Sequence, residues 1–165
     1  MTDLQKILVV DPEKCTGCRL CEAACSLHKE KKCAPEYSRI RVTKWEDQGI
    51  YIPVVCQQCE TPICEVVCPM HAIKREPSTN AIIIDEKSCV GCRLCAQFCP
   101  LGGIGIDEKT SRLIKCDLCG GEPVCVEFCQ PEALQYIESL KLGIMKKRTA
   151  AEKYSEYLKK ILASH

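Results

Sequence analysis

Seventeen of the 165 residues are cysteine, and sixteen of them fall into four quartets. Cys15, Cys18, Cys21 and Cys25 have the spacing Cys-x2-Cys-x2-Cys-x3-Cys, and Cys89, Cys92, Cys95 and Cys99 repeat it. Cys56, Cys59, Cys64 and Cys68 form a second pattern, with four residues in the middle gap. Cys116, Cys119, Cys125 and Cys129 follow it with one residue more. Cys33 stands apart. Thiolates are soft ligands, so this density admits disulfides, zinc sites or iron–sulfur clusters. A loop with x2-x2 spacing can turn three sulfurs onto one cubane, and in the run C-x2-C-x2-C-x3-C-P the fourth cysteine ligates the other cluster of a pair. Zinc favours separated Cys-x2-Cys pairs and has no need of triplets. The spacing therefore points to iron–sulfur chemistry, with all sixteen quartet cysteines as ligands.

Compartment argues the same way. The start, MTDLQKILVV, has a four-residue apolar run followed by Asp11-Pro12, too short for a secretory signal and without a twin arginine. A cytoplasmic protein with reduced thiols is expected. No apolar stretch reaches the roughly 20 residues that span a bilayer. Lys and Arg number 23 against 22 Asp and Glu, a net charge of +1, which gives no sign of nucleic-acid binding. Four clusters in their oxidised form would each contribute about −2 and take the loaded protein to about −7.

The quartets repeat in the order A-B-A-B: CTGCRLCEAAC resembles CVGCRLCAQFC, and CQQCETPICEVVCP resembles CDLCGGEPVCVEFCQP. Short strand-like runs lie between them, at 7–10, 39–43, 72–74, 81–84, 104–106 and 113–114, with Pro77-Ser78-Thr79-Asn80 as a hairpin turn. Each Cys-x3-Cys step has helical spacing, so a short helix is expected to carry the last cysteine of each quartet. The fold class is α+β, built of short pieces. Aromatic residues are only 5 % of the chain, so the clusters must supply much of the cohesion that a larger core would give.

The segment from Cys56 to Ile106 has the order of a complete two-cluster ferredoxin. On that basis the second and third quartets share two clusters and the outer two share another pair. One inner cluster takes Cys56, Cys59, Cys64 and Cys99, and the other takes Cys89, Cys92, Cys95 and Cys68. The outer clusters take Cys15, Cys18, Cys21 with Cys129, and Cys116, Cys119, Cys125 with Cys25. The domains are then an outer ferredoxin-like unit at 1–49 and 107–139, an inserted inner unit at 50–106, and a tail at 140–165. Pairing of sequential quartets is the alternative. Cys25 precedes Ser26 and Cys129 precedes Gln130, so the outer sites lack the stiffening proline and are expected to be more exposed.

In the tail, Ala150, Ala151, Tyr154, Tyr157, Leu158, Ile161 and Leu162 share one face at helical spacing, with Lys146, Lys147, Arg148, Lys153, Lys159 and Lys160 around it. Such a helix serves as a cover for the protein's own core, as a docking or self-association surface, or as a membrane-surface helix. Arg19 and Arg93 hold equivalent places in the two Cys-x-Gly-Cys-Arg-Leu-Cys loops and are either solvated or tune a cluster. His28 and His71 are read as packing residues and Cys33 as a free thiol. No phosphate loop, nucleophile elbow or His-Glu-x-x-His is present, so no catalytic residue is assigned.

CTGCRLCEAACSLH, SRIRV, CQQCETPIC, CPMHAI and KCDLCGGEPVC resemble the four-cluster ferredoxin subunits of multi-subunit redox enzymes. That family serves molybdenum and tungsten oxidoreductases, formate dehydrogenases, some hydrogenases and carbon monoxide dehydrogenase partners. The likeness covers about residues 5–138 and is greatest to small subunits that accompany tungsten aldehyde oxidoreductases. It implies nested pairing of the quartets, four [4Fe–4S] clusters and an electron wire without an active site. It also implies a catalytic oxidoreductase subunit as one partner, a flavin subunit or ferredoxin as the second, and anaerobic metabolism. A cluster-stapled or zinc-stapled assembly module is the competing class.

Overall fold

The computed structural model describes residues 5–163. It forms two compact units, Leu8–Tyr136 and the two ends, up to Ile7 and from Ile137 onward. Thirteen elements follow in order: β1 (Lys6–Val10), α1 (Leu20–Glu30), β2 (Ile40–Trp45), β3 (Ile50–Val55), α2 (Ile63–Val66), β4 (Ile73–Arg75), β5 (Ile82–Ile84), α3 (Leu94–Gln97), β6 (Ile104–Ile106), β7 (Leu113–Lys115), α4 (Val124–Glu127), β8 (Leu134–Glu138) and α5 (Ser139–Ala163). The strands make four two-stranded sheets, β1 with β8 and three hairpins, β2–β3, β4–β5 and β6–β7.

The hairpin strands come from short β-branched runs. In β2, Ile40 and Val42 are buried while Arg41 and Thr43 face out, the period-two pattern of a strand with one covered face. The register sets Ile40 opposite Val55 and Trp45 opposite Ile50. The expected turn at 77–80 joins β4 to β5, with Ile73 opposite Ile84. Strands β3 and β8 are additions to the sequence reading, as Pro53 and Gln135 break up their apolar runs. Strand β3 pairs with β2 and β6 with β7, so the strands that flank residues 56–103 pair with their neighbours in sequence.

The helices correct one expectation. The short helices α2, α3 and α4 carry the third cysteine of their quartets, Cys64, Cys95 and Cys125, and end before the fourth. Pro69, Pro100 and Pro131 lie just beyond, and proline disfavours helix at the residue before it. The first quartet has Ser26 in that place. There α1 runs on to Glu30, carries both Cys21 and Cys25, and closes on a left-handed Lys31 whose N–H bonds the Leu27 carbonyl. The missing proline does not open the site, because Cys25 is buried and Ser26 is fully so. The Ser26 hydroxyl donates to the Ala23 carbonyl at 3.1 Å and accepts from the Ala34 N–H at 3.2 Å.

Helix α1 packs on α4, and α2 packs on α3. Two clusters of buried side chains accompany these pairs. The larger contains Cys21, Cys25, Cys56, Cys116 and Cys125 with Ile40, Val42, Val55, Leu118 and Leu134. The smaller contains Cys64 and Cys95 with Ile73, Ile82 and Ile104.

The tail is helical, as its periodicity predicts. Leu140, Ile144 and Tyr154 on α5 are exposed. The side chains of Lys146, Lys153, Tyr157, Leu158, Lys160, Ile161 and Leu162, and all of His165, lie outside the described residues. Among the described residues no helix is long and apolar enough to cross a membrane.

One buried polar contact ties α1 to β2. Glu22 is fully buried, and its Oε1 accepts the Val42 N–H at 2.6 Å. Val42 stands opposite Pro53 in the hairpin. Glu22→Ala leaves that N–H without its acceptor and is expected to lower stability by about 1–3 kcal/mol, with Glu22→Gln losing less because its amide oxygen still accepts. Denaturant unfolding of the two variants beside the unsubstituted chain checks this, and an alanine variant as stable as the parent would contradict it.

Candidate iron–sulfur sites

The A-B-A-B repeat extends to the backbone. In the two A quartets the residue before the second cysteine, Gly17 or Gly91, has φ +71°, and the residue after it, Arg19 or Arg93, has φ 60° or 64°. In the two B quartets the left-handed residue just before the second cysteine is Gln58 or Leu118. Three residues after the last cysteine, His71, Gly102 and Glu132 are again left-handed. Such turns are what let a short loop aim alternate side chains inward.

These loops bring the cysteines together across quartets. Cys68, Cys89, Cys92 and Cys95 line one cavity, beside Ile73 and Ile84. Cys56, Cys59, Cys64 and Cys99 line a second, beside Ile82 and Ile104. A third is lined by Cys15, Cys18, Cys21 and Cys129, beside Val42 and Leu134. The three measure about 310, 410 and 300 Å³ including their mouths. The remaining four, Cys116, Cys119, Cys125 and Cys25, come from the region where α1 packs on α4; burial first, and then the nearby Cys116, Cys25, Cys119 and Cys21, push up the Cys125 thiol. Gly103 allows one close approach: a Cβ there would lie 2.8 Å from the Cys56 Cα.

Backbone amides point at several sulfurs. The Ala72 N–H donates to Cys68 Sγ, the Gly103 N–H to Cys99 Sγ and the Arg39 N–H to Cys25 Sγ, each at 3.3 Å. The first two repeat one geometry, a donor four residues after the last cysteine. Since α1 continues past Cys25, its sulfur takes its donor from the approach to β2 instead.

Burial dominates the thiol chemistry. It pushes Cys21 and Cys116 up to about 12 and Cys95 to about 11, raises Cys125 most of all, and lifts Cys64 and Cys119 as well. A ligand must be a thiolate, and crowding like charges in a dry site is unfavourable unless a cationic core compensates them. A single zinc ion, 2.3 Å from each sulfur, would draw four sulfurs to within roughly 3.8 Å of one another. Among the described residues no three His, Cys, Asp or Glu are grouped so as to hold one metal ion. Four thiols lining one apolar-walled cavity, three of them from one closely spaced loop, fit a polynuclear iron core, in which each sulfur binds a different iron.

Of the other candidates, Arg19 also lines the cavity of Cys15, Cys18, Cys21 and Cys129. Arg19 lies 3.9 Å from Glu22, and Arg93 donates to the Ser111 hydroxyl at 3.0 Å. His28, His71 and Cys33 are exposed. The sequence reading passes over Lys115, whose ammonium donates to Cys56 Sγ at 3.1 Å. A signal exists: Lys115 directly precedes Cys116 at the end of a strand, where a lysine is not expected to be buried.

Comparison with known proteins supports iron–sulfur binding. A 4Fe–4S dicluster domain model matches residues 47–139, and a 4Fe–4S binding domain model matches residues 6–27. The polyferredoxin-like subunit of an aliphatic sulfonate oxidoreductase from Pyrococcus furiosus is 41 % identical over 122 residues, covering 74 % of this chain and 70 % of that one. A putative electron transport protein of Escherichia coli, YsaA, is 40 % identical over 147 residues, covering 82 % and 91 %. One chain of the anaerobic dimethyl sulfoxide reductase of E. coli is 36 % identical over 148 residues, covering 77 % and 70 %. The protein thus belongs to the 4Fe–4S dicluster family, as a ferredoxin-like iron–sulfur protein related to the electron-transfer subunits of oxidoreductases.

Proposed function

We propose that this chain is a non-catalytic electron-transfer subunit holding four [4Fe–4S] clusters in nested pairs. The inner ligand sets are Cys56, Cys59, Cys64 with Cys99, and Cys89, Cys92, Cys95 with Cys68. The outer sets are Cys15, Cys18, Cys21 with Cys129, and Cys116, Cys119, Cys125 with Cys25. The observation that carries this reading is the composition of the three cavities, each lined by three cysteines of one quartet and the last of another. The packing of α1 on α4 and α2 on α3 supports the same grouping.

Each cluster, when bound, exchanges one electron at a potential that its charge, hydrogen bonds and exposure set. The protein's part is to fix the sulfurs, donate N–H groups to them and wall the sites with Ile and Val. A fully thiolate-ligated iron core leaves no open position for a substrate, so chemistry falls to a partner. Relatives named as a polyferredoxin-like subunit and as one chain of a reductase support a catalytic oxidoreductase subunit in that role. Within that class we favour a tungsten aldehyde oxidoreductase subunit, with a flavin subunit or ferredoxin as the second redox partner and α5 as a surface for docking or self-association.

Iron, acid-labile sulfide and zinc measured on one anaerobic preparation test the count. About sixteen irons and sixteen sulfides per chain are expected, as four cubanes require; about four zincs without sulfide would overturn the reading. Paired substitutions test the nesting. Cys59→Ala with Cys99→Ala removes two ligands of one cluster and is expected to cost about four irons per chain, whereas Cys59→Ala with Cys68→Ala is expected to cost about eight. The reverse order, or equal losses, would contradict nested ligation.

A further inference from the structure

Lys115 is a buried cation between two of these sites. It is 9 % exposed, on β7, and it is joined by a peptide bond to Cys116. Its Nζ donates to Cys56 Sγ at 3.1 Å, to the Ile82 carbonyl, and to the Cys116 carbonyl at 3.3 Å, with the Gln58 side-chain oxygen at 3.5 Å. Among the described residues its partners are one sulfur and three neutral oxygens, and no carboxylate pairs with it. An ammonium withdrawn from water without a counter-charge is unfavourable. Here the counter-charge at hand is the Cys56 sulfur, which is a thiolate once it binds iron.

A cluster gains one negative charge when reduced. A cation with its donor hydrogen on a ligand sulfur stabilises that added charge and raises the reduction potential. The effect is uneven across the junction, since Nζ bonds the sulfur of Cys56 but only the backbone oxygen of Cys116.

We propose that Lys115 is a potential-setting residue, which would raise the reduction potential of a cluster held by Cys56, Cys59, Cys64 and Cys99 more than that of a cluster held by Cys116, Cys119, Cys125 and Cys25. The inference rests on the ligand grouping proposed above.

The test is an anaerobic potentiometric titration, followed by electron paramagnetic resonance, on the full chain and on Lys115→Met and Lys115→Arg. Iron and sulfide are measured on each sample. With Lys115→Met, one of the four steps should fall by about tenfold or more in its reduction equilibrium constant, or 59 mV for one electron, while the other three stay in place. Lys115→Arg should hold that step near its original position. Four unmoved steps, an equal fall in all four, or an arginine variant that falls as far as methionine would overturn the role of Lys115. Should Lys115→Met carry less iron than the parent, Lys115→Gln is titrated by the same criteria, since it keeps an N–H donor and removes the charge. A parent chain without iron and sulfide would instead overturn the iron–sulfur reading on which the inference rests.

Discussion

The structure depends on the convergence of buried sulfur. Five of the larger core's twelve buried residues are cysteines, and burial keeps the deepest of them well above the ordinary thiol range. Left as thiols they would be small, weakly packing side chains in a chain with few aromatics. Bound as thiolates to an iron core they become cross-links that join α1 to the loop after α4, and α2 to the loop after α3. Metal binding and folding are then one free energy, as in other small metalloproteins whose sites form only on folding. The thinness of the apolar core follows from this, because Ile and Val are needed to wall the sites and not to fill a large interior.

The remainder of the fold serves the aim of each sulfur. Left-handed residues recur at matching places in all four quartets, so the sequence repeat is also a repeat of loop geometry. Where the fourth cysteine is followed directly by proline, at Cys68 and Cys99, the helix stops and an N–H four residues on reaches the sulfur. Where Ser26 takes that place, the helix runs on, and both the hydroxyl and the Arg39 amide are recruited to hold the corner. Glu22 then joins the extended α1 to the first hairpin. Lys115 extends the same logic from position to charge, with one ammonium placed on a ligand of one site and covalently next to a ligand of another.

Much of this is legible in the sequence. Spacing points to the candidate ligands, the ferredoxin-like order of the middle segment suggests a grouping, and short strand-like runs locate β1, β2, β4, β5, β6 and β7. The 3.6-residue periodicity of the tail marks α5. What escapes the sequence has physical causes. Strand β3 contains Pro53, which local propensity counts against a strand, and it exists because β2 offers Ile40 and Val42 to cover. Helices α2 and α3 carry the third cysteine and not the fourth because the fourth, Cys68 or Cys99, directly precedes a proline, which disfavours helix at that residue. Want of proline predicts exposed outer sites, yet the longer α1 buries Cys25 more deeply. Lys115 is easily overlooked because a lysine at a strand end reads as solvated, and only the neighbouring hairpin and Cys56 make it buried.

The most direct test of the central claim counts electrons. Anaerobic reductive titration of the purified chain, followed optically and then reversed with oxidant, should take up four electrons per chain and return them with iron content unchanged, one for each cluster. Uptake of fewer than four, or loss of iron during the cycle, would contradict a chain built to carry electrons through four buried sulfur sites.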